Sequence, residues 1–310
     1  MEEQEKKNFG KSVYISLAIV SFFFFFFVSF PWGILKEAIV AQVRGVSPIG
    51  VQISELGPSF PVGFQADGIK LTSADGSKQA ELKHIEINVS ILSLLIGNLG
   101  LSVEAEDMQG GELSLDTGLS ISKLMSGQAI PNDVDLNSKN FSLGPLVSLG
   151  LNVYSDHANE LIKGLIKQID LRGKLNGIAK LSINSSTPTQ SKGEVKLNIK
   201  DMILAINDPN LDIAPQKFKK AIVSAKMKSG SFSVNKVSGF HSGELVVDLS
   251  GILKFSKPIN RSNLNFNIDL KLMGGLQENF GFLLSMGGGS DSNAKYRITG
   301  TLGRPDFQTN

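Results

Sequence analysis

The side chains able to do chemistry are few in this 310-residue chain, and none is spaced for a familiar reaction. There is no cysteine, which excludes disulfides, thiolate metal sites, iron–sulfur clusters and cysteine nucleophiles. The three histidines, His84, His157 and His241, stand far apart, and no His-Glu-x-x-His pair occurs. Gly173-Lys174 lacks the upstream glycine and the following hydroxyl residue of a phosphate-binding loop. No Gly-x-Ser-x-Gly elbow is present, and Gly287-Gly288-Gly289 reads as a polar loop. Glu104 and Glu106 point the same way from a strand, as a solvated face would have them. Lys217, Lys219, Lys220, Lys226 and Lys228 form the one dense basic cluster, suited to anionic headgroups or an acidic partner. With 31 basic against 29 acidic residues, the balance gives no case for nucleic acid. The expectation is a non-enzyme with no catalytic, cofactor or metal residues, working through surfaces.

Such surfaces need elements to present them, and the first is apolar. The 23 residues from Val13 to Leu35 carry no charge and include six consecutive phenylalanines, Phe22, Phe23, Phe24, Phe25, Phe26 and Phe27. As a helix the run spans about 35 Å, enough for a hydrocarbon core of roughly 30 Å. A helix of adjacent phenylalanines leaves no face for water. Lys6, Lys7 and Lys11 before it favour a cytoplasmic N-terminus, and Trp32 suits the far interface. Residues 1–12 are therefore expected as a cytoplasmic tail and 13–35 as a membrane anchor. Residues 36–310 then form an exported, in a bacterium periplasmic, domain, with a candidate subdivision near 150–170.

Past Lys36, period-two alternation dominates. Leu264, Phe266, Ile268, Leu270 and Leu272 alternate with Asn263, Asn265, Asn267, Asp269 and Lys271. Leu245, Val247, Leu249, Leu253 and Phe255 repeat the scheme with Gly251 in register. So do Leu171, Leu175, Ala179, Leu181 and Ile183 with Gly173 and Gly177, and Tyr296, Ile298 and Leu302 with Gly300. These are long amphipathic strands, and glycines on their apolar side mark bends or close approaches. The alternation slips between Leu82 and Ile85, as at a bulge. A glycine-glutamate start recurs at Gly111-Glu112, Gly193-Glu194 and Gly243-Glu244, which favours a repetitive meander. Helical segments are expected from Ser155 or Asp156 to Ile169 and at Pro215–Val223, and the short apolar run Ile91–Ile96 reads as either a helical turn or a strand end. The exported part holds eleven Phe, two Tyr and no Trp, too few aromatics for stacking on sugars or single-stranded nucleic acid. Its Leu, Ile and Val faces suit either a second sheet or acyl chains, and alternation alone leaves both open.

The order of these motifs resembles a known family. Phe30-Pro31-Trp32 is followed by Ile53-Ser54-Glu55-Leu56-Gly57-Pro58-Ser59-Phe60-Pro61-Val62-Gly63, then Leu92-Ser93-Leu94-Leu95-Ile96-Gly97 and Gly110-Gly111-Glu112-Leu113. Leu171-Arg172-Gly173-Lys174-Leu175-Asn176-Gly177 and Ile298-Thr299-Gly300-Thr301-Leu302-Gly303-Arg304-Pro305 complete it. The pattern is similar to type II secretion system protein N (GspN) and, more distantly, to AsmA-like envelope proteins. That resemblance implies an inner-membrane protein whose periplasmic domain is a strongly curved antiparallel β-sheet trough with a few short helices. It implies partnership with inner-membrane type II secretion subunits. The alternative is lipid binding or transfer along the apolar face, with phospholipid as the partner. The family supplies no catalytic residues.

Overall fold

A computed structural model of the chain describes residues 29–46, 49–60, 62–125, 131–155, 168–184, 186–207 and 213–309, with Val13, Tyr14, Leu17, Ser21 and Phe25 individually. It is mainly β: sixteen strands join one antiparallel sheet. Helix α1 (Trp32–Val46) leads into β1 (Ile49–Ser59), β2 (Gly63–Ser73) and β3 (Gln79–Ser90). A short helix α2 (Ile91–Leu95) precedes β4 (Asn98–Asp107) and β5 (Glu112–Ser120), and α3 (Ile121–Met125) precedes β6 (Pro131–Ser142). After α4 (Gly144–Ser155) come the longest strands, β7 (Ile169–Ser182) and β8 (Lys192–Ile206). A two-residue β9 (Gln216–Lys217) pairs with β8. Next come β10 (Lys220–Lys228), β11 (Ser231–Val234), β12 (Gly239–His241), β13 (Leu245–Lys254) and β14 (Asn263–Leu272). Helix α5 (Gly274–Met286), β15 (Asn293–Thr301) and β16 (Arg304–Thr309) end the fold.

Each strand pairs with its neighbour in sequence, apart from the β9–β12 region. There β11 and β12 form one interrupted strand between β10 and β13. The sheet runs unbroken through β6 and β7, on either side of the expected 150–170 divide. Its connections therefore alternate between two rims. The Phe60 rim carries the β1–β2, β3–β4, β5–β6, β7–β8, β10–β11, β13–β14 and β15–β16 connections. The Phe141 rim carries the others, including α4 and α5.

The two buried clusters lie toward the Phe141 rim. Val51, Ala66, Ile69, Leu82 and Phe141 pack with Leu146 of α4. Leu272 and Ala294 pack with Leu276 and Leu284 of α5. Helix α4 touches β2, β3 and β7, and α5 touches β14 and β15.

Several local expectations meet the structure directly. The slip between Leu82 and Ile85 is a register shift between Leu82 and His84. Gly177 has φ +135° and sits so close to β8 that a β-carbon would lie 2.0 Å from the Lys196 carbonyl oxygen. Gly251 has φ +150°, and its added β-carbon would meet the Phe266 ring at 2.6 Å, so the ring covers the glycine across the pair. Both are close approaches that only glycine permits.

Other expectations are corrected. Pro215–Val223 is not helical: Gln216 and Lys217 form β9, and Lys220 opens β10. β-branched Ile222 and Val223 complete the β8 ladder opposite Asn198 and Leu197, which outweighs any local turn preference. The helix expected from Asp156 falls mostly on residues 156–167, outside the described residues, and Ile169 already opens β7. Helices α4 and α5 were not anticipated. Most of the expected anchor, including Phe22, Phe23, Phe24, Phe26 and Phe27, lies outside the described residues. No helix among the described residues is long and apolar enough to cross a membrane. Of its described positions, Val13 and Phe25 are exposed, Leu35 is half-buried, and Trp32 packs on Phe30 with ring centroids 4.7 Å apart.

A candidate apolar face across the sheet

Strand alternation places apolar side chains on one face, and the register then aligns them from strand to strand. Following cross-strand partners gives one line: Pro58, Phe64, Ile87, Val103, Leu115, Leu136, Ala179, Val195, Ala225, Val234, Gly251, Phe266, Ile298 and Phe307. It crosses the sheet from edge strand β1 to edge strand β16 without a polar residue. Parallel pairs widen it, such as Leu181 with Val134 and Leu175 with Phe141. In the last third, Leu249 pairs with Ile268, and Ile268 with Tyr296.

The sequence-selected residues belong to this surface. Leu171 pairs with Leu204, Leu245 with Leu272, Val247 with Leu270 and Leu253 with Leu264. Phe255 is the exception: β13 ends at Lys254, and Phe255 lies in the following connection, where its N–H donates to the Gly230 carbonyl (2.8 Å). The line's members on β1 to β6 and on β8 were not among the residues selected from sequence, although the alternation of Ile85-Glu86-Ile87-Asn88-Val89 and Val195-Lys196-Leu197-Asn198-Ile199 carries the same signal.

Most of these side chains are half-buried, Val195 and Ala225 are buried, and Pro58 and Phe307 on the edge strands are exposed. The helices that contact the sheet are α1 along β1, α2 and α3 at the Phe60 rim against β4 and β5, and α4 and α5 at the Phe141 rim, and among the described residues no second sheet lies over the line. What this surface can do chemically is exclude water along an extended apolar track.

The basic cluster is not one patch. Lys217, Lys219 and Lys220 sit toward the Phe141 rim, where Lys220 lies 3.8 Å from Asp248. Lys226 and Lys228 stand near the Phe60 rim at the other end of β10. A strand of nine residues separates its ends by about 27 Å.

The opposite face is polar. An open concavity of about 620 Å³ spans β3 to β7 there, lined by His84, Glu104, Glu106, Glu112, Asn137 and Lys139. His84 Nδ1 is 2.7 Å from Asp67, Lys83 is 2.7 Å from Glu106, and Lys139 is 3.9 Å from Glu112. These pairs are solvated and contribute little to stability. His241 lies 2.7 Å from Asp248 on a different part of the sheet, and His157 is outside the described residues. Among the described residues no group of three potential metal ligands converges.

One carboxylate is built into the fold. Asp107 is buried at the end of β4, facing Leu82 across the strand pair. Burial would push its carboxyl up, but backbone N–H groups of Gly111 (2.8 Å), Ser142 (2.6 Å) and Gln109 (2.7 Å) donate to it and hold it below the usual carboxylate range. Hydroxyl donors Ser73 and Ser77 likewise hold Asp75 well below that range, and Ser59 with Asn88 lowers Glu86.

Compared with family models, with curated proteins and with solved structures, the chain matches none.

Proposed function

We propose that the chain is a membrane-anchored envelope protein that holds acyl chains along the apolar face of its sheet. The observation that carries this is the unbroken apolar line from β1 to β16, with no second sheet over it among the described residues. Side chains as large as Phe64, Leu115 and Phe266 lie half-buried along it. The trough form that the resemblance implies is part of this reading. The uncharged run 13–35 is read as the inner-membrane anchor, with a cytoplasmic N-terminus and a periplasmic sheet.

The test is native mass spectrometry of the full chain, released from nanodiscs under mild conditions. Co-purified phospholipid is the expected result, and a spectrum of bare protein together with failure to bind a fluorescent phospholipid defeats the reading.

A second reading rests on the motif order similar to type II secretion protein N: an interaction subunit of the inner-membrane secretion assembly. Its test is crosslinking in cells. Recovery of other inner-membrane secretion subunits supports it; their absence with unchanged secretion after gene deletion removes it.

A further inference from the structure

We infer that the Phe60 rim beside α1 is seated on an anionic phospholipid bilayer, its apolar connections entering the interface and its basic residues meeting the headgroups. Three independent observations converge on this rim, and none depends on what the apolar face holds.

The first is exposure. Phe60 is 89 % exposed, Leu92 77 %, Ile96 75 % and Met125 84 %. They sit on three successive connections of the same rim, β1–β2, β3–β4 and β5–β6. Successive connections on one rim are two strands apart, about 10 Å, so the three form a line of about 20 Å. At the Phe141 rim the corresponding exposed residues, Met108, Phe282 and Met286, are spread from the β4–β5 hairpin to α5. Exposed apolar residues gathered in one line mark an interaction site, whereas scattered ones do not.

The second is the direction of α1. Lys36 Nζ donates to the carbonyl of Ser54 (3.3 Å). Ser54 is midway along β1, so the helix folds back beside that strand, and its N-terminal end at Trp32 points to the Phe60 rim. The uncharged run before it therefore joins the described chain at the rim that carries the exposed apolar connections.

The third is charge. The seven connections of the Phe60 rim (60–62, 91–97, 121–130, 183–191, 229–230, 255–262 and 302–303) contain no aspartate or glutamate in sequence. Lys192, Lys228, Lys254, Lys257, Arg261 and Arg304 line the same rim farther along. Connections at the opposite rim carry acids, among them Asp75, Glu244, Glu278 and Asp291. Asp133 stands level with Lys192 through Ser182, but connections free of acids beside six bases are what an anionic lipid surface selects. A second copy of the chain, carrying the same basic rim, would be repelled.

Because the chain has no cysteine, single-cysteine variants report one position each. Full-length Leu92→Cys, Met125→Cys, Met108→Cys and Met286→Cys, each carrying an environment-sensitive fluorophore, are placed in phosphatidylglycerol-containing vesicles with nitroxide-labelled lipid. All four sites are exposed, so the fold is expected to persist, and circular dichroism checks it. The expected result is a blue-shifted emission and severalfold stronger nitroxide quenching at 92 and 125 than at 108 and 286. Equal quenching at the two rims overturns the proposal. So does shielding of 92 and 125 that appears in lipid-free detergent and grows with protein concentration, which would assign the rim to a second copy. Lys254→Glu with Lys257→Glu and Arg261→Glu is expected to weaken the quenching in phosphatidylglycerol vesicles but not in neutral ones; no change in either removes the headgroup contact.

Discussion

Asp107 ties a hairpin to the strand beyond it. Its two oxygens accept from backbone N–H groups on the β4–β5 turn and on the last residue of β6, so one side chain secures three strands. Asp107→Ala leaves those donors buried without a partner and is expected to cost about 2–4 kcal/mol, measured as a lower urea midpoint. The pH dependence follows from direction. The carboxyls of Asp75, Glu86 and Asp107 are all lowered in the folded chain. A lowered carboxyl favours folding above its unfolded pKa, near 4, and that contribution is lost as pH falls through the folded value. The urea midpoint is therefore expected to hold from neutral pH to about 5 and to fall below about 4, less steeply in Asp107→Asn. Gly177 makes a steric demand instead. Gly177→Val places branched carbon against the Lys196 carbonyl at a positive φ, with an expected loss of about 2–4 kcal/mol by thermal melting.

Strands and helices divide the stabilising role between them. The helices seal the apolar face at the Phe141 rim, where Leu276 and Leu284 of α5 are buried against Leu272 and Ala294. Leu276→Ala is expected to cost about 2–5 kcal/mol, seen in chemical denaturation. Along the uncovered line the same logic gives a milder result. Leu249 and Phe266 are half-buried, so Leu249→Asp or Phe266→Asp leaves the charge a path to water. Each variant is expected to keep the sheet's circular dichroism while losing bound phospholipid. Global unfolding by either would show a closed core there.

On the scale of the whole molecule, the rims and the apolar line are related by distance. At β3, β7, β10 and β14 the line lies three residues inside the Phe60 rim, at Ile87, Ala179, Ala225 and Phe266. Three residues are about 10 Å of strand. A rim seated in the interface would bring that line within reach of acyl chains leaving the bilayer. Placing Asp at both Leu136 and Ile298 interrupts the line at two distant strands. The double variant is expected to lower phospholipid occupancy in native mass spectra more than either single change does.

Alternation alone determined that this chain is built from long amphipathic strands, because side chains in a strand alternate between faces whatever lies beside them. Leu264 to Leu272 could be read residue by residue, and the slip at Leu82–Ile85 and the need for glycine at 177 and 251 were legible too. The absence of cysteine and the scatter of histidines were equally plain. Three other features waited on the tertiary structure. The strand at Ile222-Val223 depends on the β8 ladder opposite it, which no local preference contains. The division of the lysine cluster into two groups depends on β10 running from one rim to the other. The acid-free connections of one rim appear only when every connection is assigned to one end of the sheet, and a single miscounted strand would exchange the two. Periodicity is a local property of a strand, whereas register and rim are sums over all the strands before it, so only the folded sheet reveals them.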